Sequence, residues 1–208
     1  MFSGADSTHG YELWRTDRTM GTRLIRDINR GRRSSDPFGF TSFGGQLFFT
    51  AFDGIHGAEL WRTDGTRRGT KLVRDIAVGQ AGSNPQNITK VGRKLLFSAD
   101  DGQRGVELWR TDGTRSGTKL VRDIRPNGSS IPGDLANVRG TVFFNADDGT
   151  HGQELWRSDG TRVGTRLVRD IHPGPLGSDP QHLRHAGRRL FFTADDGVHG
   201  RDLWKTSP

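Results

Sequence analysis

The chain has 208 residues and no cysteine, which excludes disulfides, thiol catalysis and cysteine-based metal sites. It also has no run of about 18 apolar residues, so no membrane-spanning helix is predicted. No window keeps a 3.6-residue apolar period over two or more turns, which argues against helices. No glycine-rich phosphate loop leads from a strand into a helix, and no serine stands in a nucleophile-elbow pattern. We therefore expect no catalysis and no cofactor.

Lysine is scarce, with 5 lysines against 26 arginines, and yet the net charge is +7. A basic balance of this kind favours anionic partners such as nucleic acid, acidic glycans or lipid head groups. The alternative is that the arginines reflect genome composition and only keep the protein soluble.

One eight-residue motif recurs along the whole chain. Its clearest copy is Glu-Leu-Trp-Arg-Thr-Asp-Gly-Thr at residues 107–114, and near-copies occupy residues 12–19, 59–66 and 154–161. In the copy at residues 12–19, Arg18 replaces the glycine of the motif. A fifth copy begins at Asp202. These copies contain the protein's only tryptophans, spaced 47, 48, 47 and 48 residues apart: Trp14, Trp61, Trp109, Trp156 and Trp204. A period held this tightly predicts a repeat architecture.

Each repeat predicts four short strands. In the clearest unit, strand one follows Pro85, strand two is residues 95–97, strand three carries the tryptophan and strand four ends at Ile124, with Gly and Asp-Gly turns between them. Strand two is a continuous apolar run, which indicates a strand buried on both faces. A four-stranded antiparallel unit of 47–48 residues is typical of a β-propeller blade. The sequence therefore predicts an all-β fold, with a β-solenoid as the less favoured alternative.

We interpret residues 1–208 as a single β-propeller domain with repeat units 1–35, 36–83, 84–130, 131–178 and 179–208. Five tryptophan hairpins favour five blades, although strands one and four occur only four times. Two alternatives stay open: four full blades, or part of a larger ring completed by a second chain. Some closure is expected, because an open arc exposes an apolar face and an unpaired strand edge.

The motif, followed by Gly-Thr and a hydrophobic-Arg-Asp-Ile strand, resembles the ELWxxDGT repeat family over essentially the whole chain. That resemblance implies a propeller-like binding or adhesion module of the kind found in large bacterial proteins that are often exported or surface-associated. It favours a secreted or cell-surface location, although residues 1–4 lead directly into the first repeat and leave no room for a signal peptide. The repeat length also resembles that of five-bladed lectin propellers, a likeness of shape alone.

Strand order in a meander sorts the charged turns onto two faces. Turns one–two and three–four share one face, which collects arginines, and the candidate anion-binding residues there are Arg67, Arg68, Arg115 and Arg162. Turn two–three and the links between units share the other face, which collects aspartates and histidines. Variable loops on a rigid scaffold usually carry binding determinants. The candidate ligand-binding residues on this second face are Arg30, Arg32, Arg33, His56, His151, His172 and His199.

The Asp-Gly-x-His-Gly turns of the second face have two interpretations. A carboxylate and an imidazole three residues apart, such as Asp148 and His151, suit a divalent ion. Otherwise the aspartate accepts backbone N–H bonds within the turn and the histidine packs on the neighbouring unit. The third unit has Arg104 in place of the histidine, and a guanidinium does not bind a cation. We therefore expect no metal site.

The tryptophans also have two interpretations, as stacking platforms for a sugar or a base, or as core between blades. The core role is favoured, because every unit carries the tryptophan and it alternates with a glutamate and an arginine that we expect to point outward. The aspartates of strand four are expected to form structural hydrogen bonds or ion pairs between blades: Asp27, Asp75, Asp123 and Asp170.

These patterns predict a non-catalytic, multivalent binding module. The leading function is lectin-like recognition of carbohydrate, with a glycan or an anionic cell-surface polymer as the partner. The alternative is a protein–protein interaction or a structural adhesion scaffold. Repeated shallow sites would gain avidity from individually weak contacts. Homo-oligomerisation stays open.

Overall fold

The fold is all-β, as predicted. The computed structural model describes residues 1–17, 19 and 21–206, and these residues form eighteen β-strands in five antiparallel sheets. No helix long and apolar enough to cross a membrane occurs among them. Arg18, which replaces the glycine of the first motif copy, lies outside the described residues.

The five sheets follow one another along the chain. The first contains β1 (Phe2–Asp6), β2 (Gly10–Asp17) and β3 (Gly21–Arg26). The second contains β4 (Phe38–Phe43), β5 (Gln46–Phe52), β6 (Ala58–Thr63) and β7 (Lys71–Arg74). The third contains β8 (Gln86–Val91), β9 (Lys94–Asp100), β10 (Val106–Thr111) and β11 (Lys119–Arg122). The fourth contains β12 (Gly133–Val138), β13 (Thr141–Asp147), β14 (Gln153–Ser158) and β15 (Arg166–Arg169). The fifth contains β16 (Gln181–Ala186), β17 (Arg189–Asp195) and β18 (Arg201–Lys205).

Every sheet is a meander in which sequential strands pair. The same cross-strand aromatic pair recurs in all five sheets, where a phenylalanine of the apolar strand faces the tryptophan of the motif: Phe2 and Trp14, Phe49 and Trp61, Phe97 and Trp109, Phe144 and Trp156, Phe192 and Trp204. Facing aromatic side chains are among the more stabilising cross-strand pairs. The repeat in the sequence is therefore also a repeat of the register between strands two and three.

Neighbouring sheets pack face to face through hydrophobic clusters. Between the second and third sheets, Leu60 and Ile76 of one sheet meet Phe97 and Trp109 of the next. We call the side of a sheet that carries the motif leucine its leucine face, and the side that carries the tryptophan and its paired phenylalanine its tryptophan face. Clusters of the same composition join the first sheet to the second, the third to the fourth and the fourth to the fifth. Each contact sets the leucine face of one sheet against the tryptophan face of the next.

The strand count agrees with the sequence prediction in detail. In the described part of the chain, strands of types two and three occur in all five sheets, whereas type one is absent from the first sheet and type four from the fifth. Three sheets are thus four-stranded and two are three-stranded. The first residues pair within the first sheet and do not close the last one. Among the described residues, no hydrophobic cluster joins the fifth sheet to the first.

Candidate functional site

The glutamate of the motif is a structural anchor for the link between sheets. The carboxylate of Glu59 accepts hydrogen bonds from the backbone N–H groups of Ile76, Ala77 and Ser83 at 3.0–3.1 Å, and from the Ser83 hydroxyl at 2.5 Å. Glu12, Glu107 and Glu154 hold their own links in the same manner, and all four glutamates are fully buried. Burial raises the pKa of Glu59 to about 7 in spite of these donors.

The expectation that these glutamates point outward was therefore wrong. Alternation along a strand separates the two faces of a sheet, but both faces of an interior sheet are covered by neighbours. The glutamate also lies near the start of strand three. The link that follows strand four folds over this end of the sheet and supplies hydrogen-bond donors. A buried carboxylate is tolerated only where donors of this kind surround it.

The Asp-Gly-Thr part of the motif builds a turn that satisfies its own polar groups. Asp64 Oδ1 accepts the backbone N–H of Thr66 at 2.9 Å and its hydroxyl at 2.7 Å, and Thr66 Oγ1 in turn accepts the N–H of Gly69. A Cβ atom at Gly69 would lie only 1.9 Å from Asp64 Oδ1, which explains the second glycine of the repeat. The turn leaves its tip free, so all four candidate anion-binding residues are exposed to solvent: Arg67, Arg68, Arg115 and Arg162.

The histidine turns close on themselves in a similar way. Asp53 Oδ1 accepts the N–H groups of Ile55 and His56, while Asp53 Oδ2 lies 2.7 Å from His56 Nδ1. The same bonds join Asp6 with His9, Asp148 with His151 and Asp196 with His199, and Arg104 takes the place of the histidine beside Asp101. The aspartate thus accepts backbone N–H bonds within its own turn, as expected. Each histidine binds the aspartate of its own turn, and this hydrogen bond raises the pKa of His56 above its usual range.

Two further candidate residues of the second face occupy different positions. The ring of His172 lies against the turn of the fifth sheet, where a Cβ atom on Gly197 would come within 2.5 Å of Nε2. Arg32 is exposed on the first link. Within the described part of the chain, no three histidine, aspartate or glutamate side chains are grouped to hold a metal ion.

Arginine-lined grooves lie at the contacts between sheets. In the groove between the third and fourth sheets, the guanidinium of Arg122 lies 5.6 Å from the centre of the Trp156 ring and donates to the Thr165 carbonyl at 2.6 Å. Arg110 reaches across to the Gly160 carbonyl at 2.9 Å. Arginine side chains of one sheet thus donate to backbone carbonyls of the next sheet, and both side chains are only partly buried.

This groove has a volume of about 630 Å³ and contains four guanidinium groups and one carboxylate: Arg104, Arg110, Arg122, Arg162 and Asp123. The Oδ1 atom of Asp123 is buried and has no hydrogen-bond partner among the described residues. The other carboxylate oxygen faces Arg104, and the Asp123 side chain is 35% exposed. The site therefore combines several N–H donors with one partly exposed carboxylate acceptor. Such a set can bind a ligand that carries both hydroxyl groups and negative charge.

A second groove of about 500 Å³ lies between the first and second sheets. Its lining includes Arg26, Arg30, Arg33, Asp53 and Trp61. Arg26 lies over the Trp61 ring at 5.6 Å, as Arg122 lies over Trp156. Two of the three arginines proposed on the first link therefore border this groove, together with a strand-four arginine that the sequence analysis did not single out as a ligand-binding residue.

The grooves combine residues that strand order alone assigns to opposite faces. Arg104 lies in a turn between strands two and three, and Arg162 in a turn between strands three and four, yet both line the groove between the third and fourth sheets. The groove therefore brings together residues from turns of both types. The arginine before each strand-four aspartate was the available sequence signal, but it occurs in every unit and resembles scaffold.

No protein-family model matches the chain, and no curated protein matches it. Solved structures with a similar fold include puromycin hydrolase, at 15% identity over 89% of this chain and 28% of that one, with a TM-score of 0.58. TolB from Acinetobacter baumannii is 14% identical over 95% of this chain and 49% of its own, with a TM-score of 0.50. A prolyl endopeptidase is 14% identical over 95% of this chain and 31% of its own, with a TM-score of 0.51.

These likenesses establish a propeller-like repeat fold and nothing about activity, because identities of this size are informative about the fold alone. The chain spans less than half the length of each of these structures.

Proposed function

We propose that the protein is a non-catalytic, multivalent binding module whose grooves between sheets bind carbohydrate, with an anionic cell-surface glycan as the ligand. The groove between the third and fourth sheets carries this proposal. Its four arginines provide planar N–H forks that suit sulfate or carboxylate groups. The Asp123 carboxylate, whose side chain is 35% exposed, provides an acceptor for a sugar hydroxyl.

The scaffold of this module is, in our proposal, a β-propeller to which this chain contributes five blades, one for each sheet. The leucine-to-tryptophan packing of successive sheets and the fold of the three solved structures support that assignment. Two arginine-lined grooves are available to a ligand, one between the first and second sheets and one between the third and fourth. A polymer that enters both grooves gains affinity from the effective concentration of the second site.

The resemblance to the ELWxxDGT repeat family supports the same function. A binding or adhesion module of large exported bacterial proteins meets glycans at the cell surface or outside the cell. We accordingly propose a secreted or cell-surface location and no catalytic step. The net charge of +7 adds a general attraction for polyanions, which falls as the salt concentration rises.

The experiment compares two arginines at the same position of the repeat. Arg162 and Arg115 both follow an Asp-Gly-Thr turn and both are exposed, but only Arg162 lines the groove between the third and fourth sheets. Binding of a heparin oligosaccharide is measured by calorimetric titration at several salt concentrations. Arg162→Ser is expected to weaken binding by about tenfold and to reduce its salt dependence, because one charge-assisted contact is lost.

Arg115→Ser removes the same charge from an equivalent turn and should change the affinity by no more than about twofold. Equal losses in the two variants would mean that heparin responds to total charge, and the groove would not be the site. Absence of binding to heparin and to every glycan of an array would refute the carbohydrate proposal as a whole.

A protein-interaction role is the second candidate, and a set of exposed apolar residues favours it. The turns between strands two and three, and the links between sheets, carry side chains that are 66–88% exposed: Ile55, Val78, Leu176 and Val198. Apolar groups on one end of a scaffold suit a protein partner better than a sugar. Under this alternative the glycan array is silent, and replacing Val78 and Leu176 with serine abolishes adhesion.

A further inference from the structure

The two end sheets expose the side chains that the interior sheets bury. The motif leucine is at most 1% exposed in the first four sheets, whereas Leu203 in the fifth sheet is 73% exposed. On the first sheet, Phe2 is 38% exposed, although its counterparts Phe49 and Phe192 are at most 3% exposed. The array therefore has a free leucine face at one end and a free tryptophan face at the other.

These two free faces match the two sides of the contact between neighbouring sheets, which the chain already forms four times. In each contact between neighbouring sheets, a leucine face packs against a tryptophan face, always in the same direction along the chain. Leu203 and the half-buried Phe191 occupy the positions of Leu60 and Phe48. Phe2 and Trp14 occupy those of Phe97 and Trp109. The free ends are thus the two complementary halves of one more contact of this type.

We propose that the free leucine face of one chain binds the free tryptophan face of a second copy of the same chain. Both faces are exposed on the single chain. Among the described residues, the leucine face of the fifth sheet therefore does not pack against the tryptophan face of the first. A contact between two different faces is heterologous, and such contacts close into a ring when the rotation permits. The assembly continues the stack of sheets from one copy into the next.

The fourfold recurrence of this contact within the chain identifies the second copy as the occupant. A small ligand would leave most of a sheet face exposed. A Leu–Leu contact between two fifth sheets would leave the tryptophan faces free, and no contact of that kind occurs among the described sheets. A second copy of this chain supplies both halves with the matching direction.

The test uses two variants of the 208-residue chain, each with one face disabled. Leu203→Glu places a charge on the leucine face, and Phe2→Glu places one on the tryptophan face. The wild-type protein should sediment as an oligomer, and each variant alone as a monomer, because a head-to-tail contact needs one intact face of each type. An equimolar mixture of the two variants should form a heterodimer, since the faces that stay intact are complementary.

Val163→Glu is the control, because Val163 is 91% exposed on a turn between strands three and four and should leave the oligomer intact. Circular dichroism confirms that each variant is folded, and Leu203→Ser replaces Leu203→Glu if the charged variant is not. A monomeric wild-type protein would overturn the proposal. So would a Phe2→Glu variant that still dimerises alone, or a mixture that stays monomeric while the wild-type protein does not.

Discussion

The guanidinium carbon of Arg122 lies 5.6 Å from the centre of the Trp156 ring, which belongs to the neighbouring sheet. A cation over an indole face is a favourable contact, and the same guanidinium also donates to a backbone carbonyl of that sheet. Arg26 covers Trp61 and Arg169 covers Trp204 in the same arrangement. These tryptophans lie between an arginine and a packed sheet, so we assign the ligand chemistry of the grooves to the arginines.

Trp109→Ala should destabilise the protein by about 3–5 kcal/mol, the usual cost of truncating a buried aromatic side chain. Trp109 is 5% exposed and contacts Leu60 and Ile76 of the second sheet. Trp14→Ala is the matched control and should cost much less, because Trp14 is only half-buried. The free energies of unfolding are measured by urea titration. A Trp109→Ala variant that kept its stability but lost glycan binding would make the tryptophan a binding platform.

The protein should be less stable at about pH 8 than at about pH 5. The pKa of Glu59 is about 7 in the folded protein against 4.5 for the free side chain, so the folded state holds the extra proton and stability falls as the pH rises between those values. His56 and His151, whose pKa values are raised by their aspartates, contribute stability that is also lost as the pH rises.

Thermal melts across this range measure the effect. Glu59→Gln should reduce the decline, because the amide does not ionise. A melting temperature that rises steadily from about pH 5 to about pH 8 would show that Glu59 is ionised throughout, and that its four donors outweigh burial.

Gly117→Ala should destabilise the third sheet's Asp-Gly-Thr turn by about 2 kcal/mol or more through a steric clash. The added Cβ would lie 2.0 Å from Asp112 Oδ1, which is itself held by the N–H and hydroxyl of Thr114. Asp112→Ala removes the obstacle and its hydrogen bonds. The double variant should therefore be more stable than the sum of the two single effects predicts. Strict additivity in urea titrations would show that the glycine is not needed for this approach.

Removing divalent metal ions should change neither stability nor ligand binding. In the turn of the fourth sheet, Asp148 accepts bonds from the N–H groups of Thr150 and His151 and from the His151 ring. The carboxylate is thereby satisfied without a cation. Melting temperatures with calcium, with zinc and with a chelator are expected to agree within error. A clear rise with either ion that His151→Ala abolished would establish a metal site in this turn.

The sequence predicted the strand pattern well because its signals are local. The tryptophan spacing, the apolar strand before it and the Asp-Gly turns define hairpins without reference to distant residues. The prediction that Glu59 points outward was wrong because its burial depends on tertiary structure. Its donors come from residues 76, 77 and 83, which reach it only after the link folds back over the sheet end.

The grooves were not predictable from the sequence for a related reason. Arg104 and Arg162 are 58 residues apart and lie in turns of different types, so strand order separates them. Their approach to one groove depends on how two sheets stack. Arg110 and Arg122 stand at positions that recur in the repeats, but a recurring arginine resembles scaffold, and the contact of Arg122 with Trp156 of the next sheet leaves no mark in the sequence.

The most direct test of the central claim is a crystal structure with a sulfated disaccharide bound. We expect the sugar in the groove between the third and fourth sheets, with its anionic group on the guanidinium groups of Arg104, Arg110 or Arg162 and a hydroxyl within hydrogen-bond distance of the Asp123 carboxylate. A disaccharide bound instead on the exposed turn at Arg67 and Arg68, with the grooves empty, would contradict it.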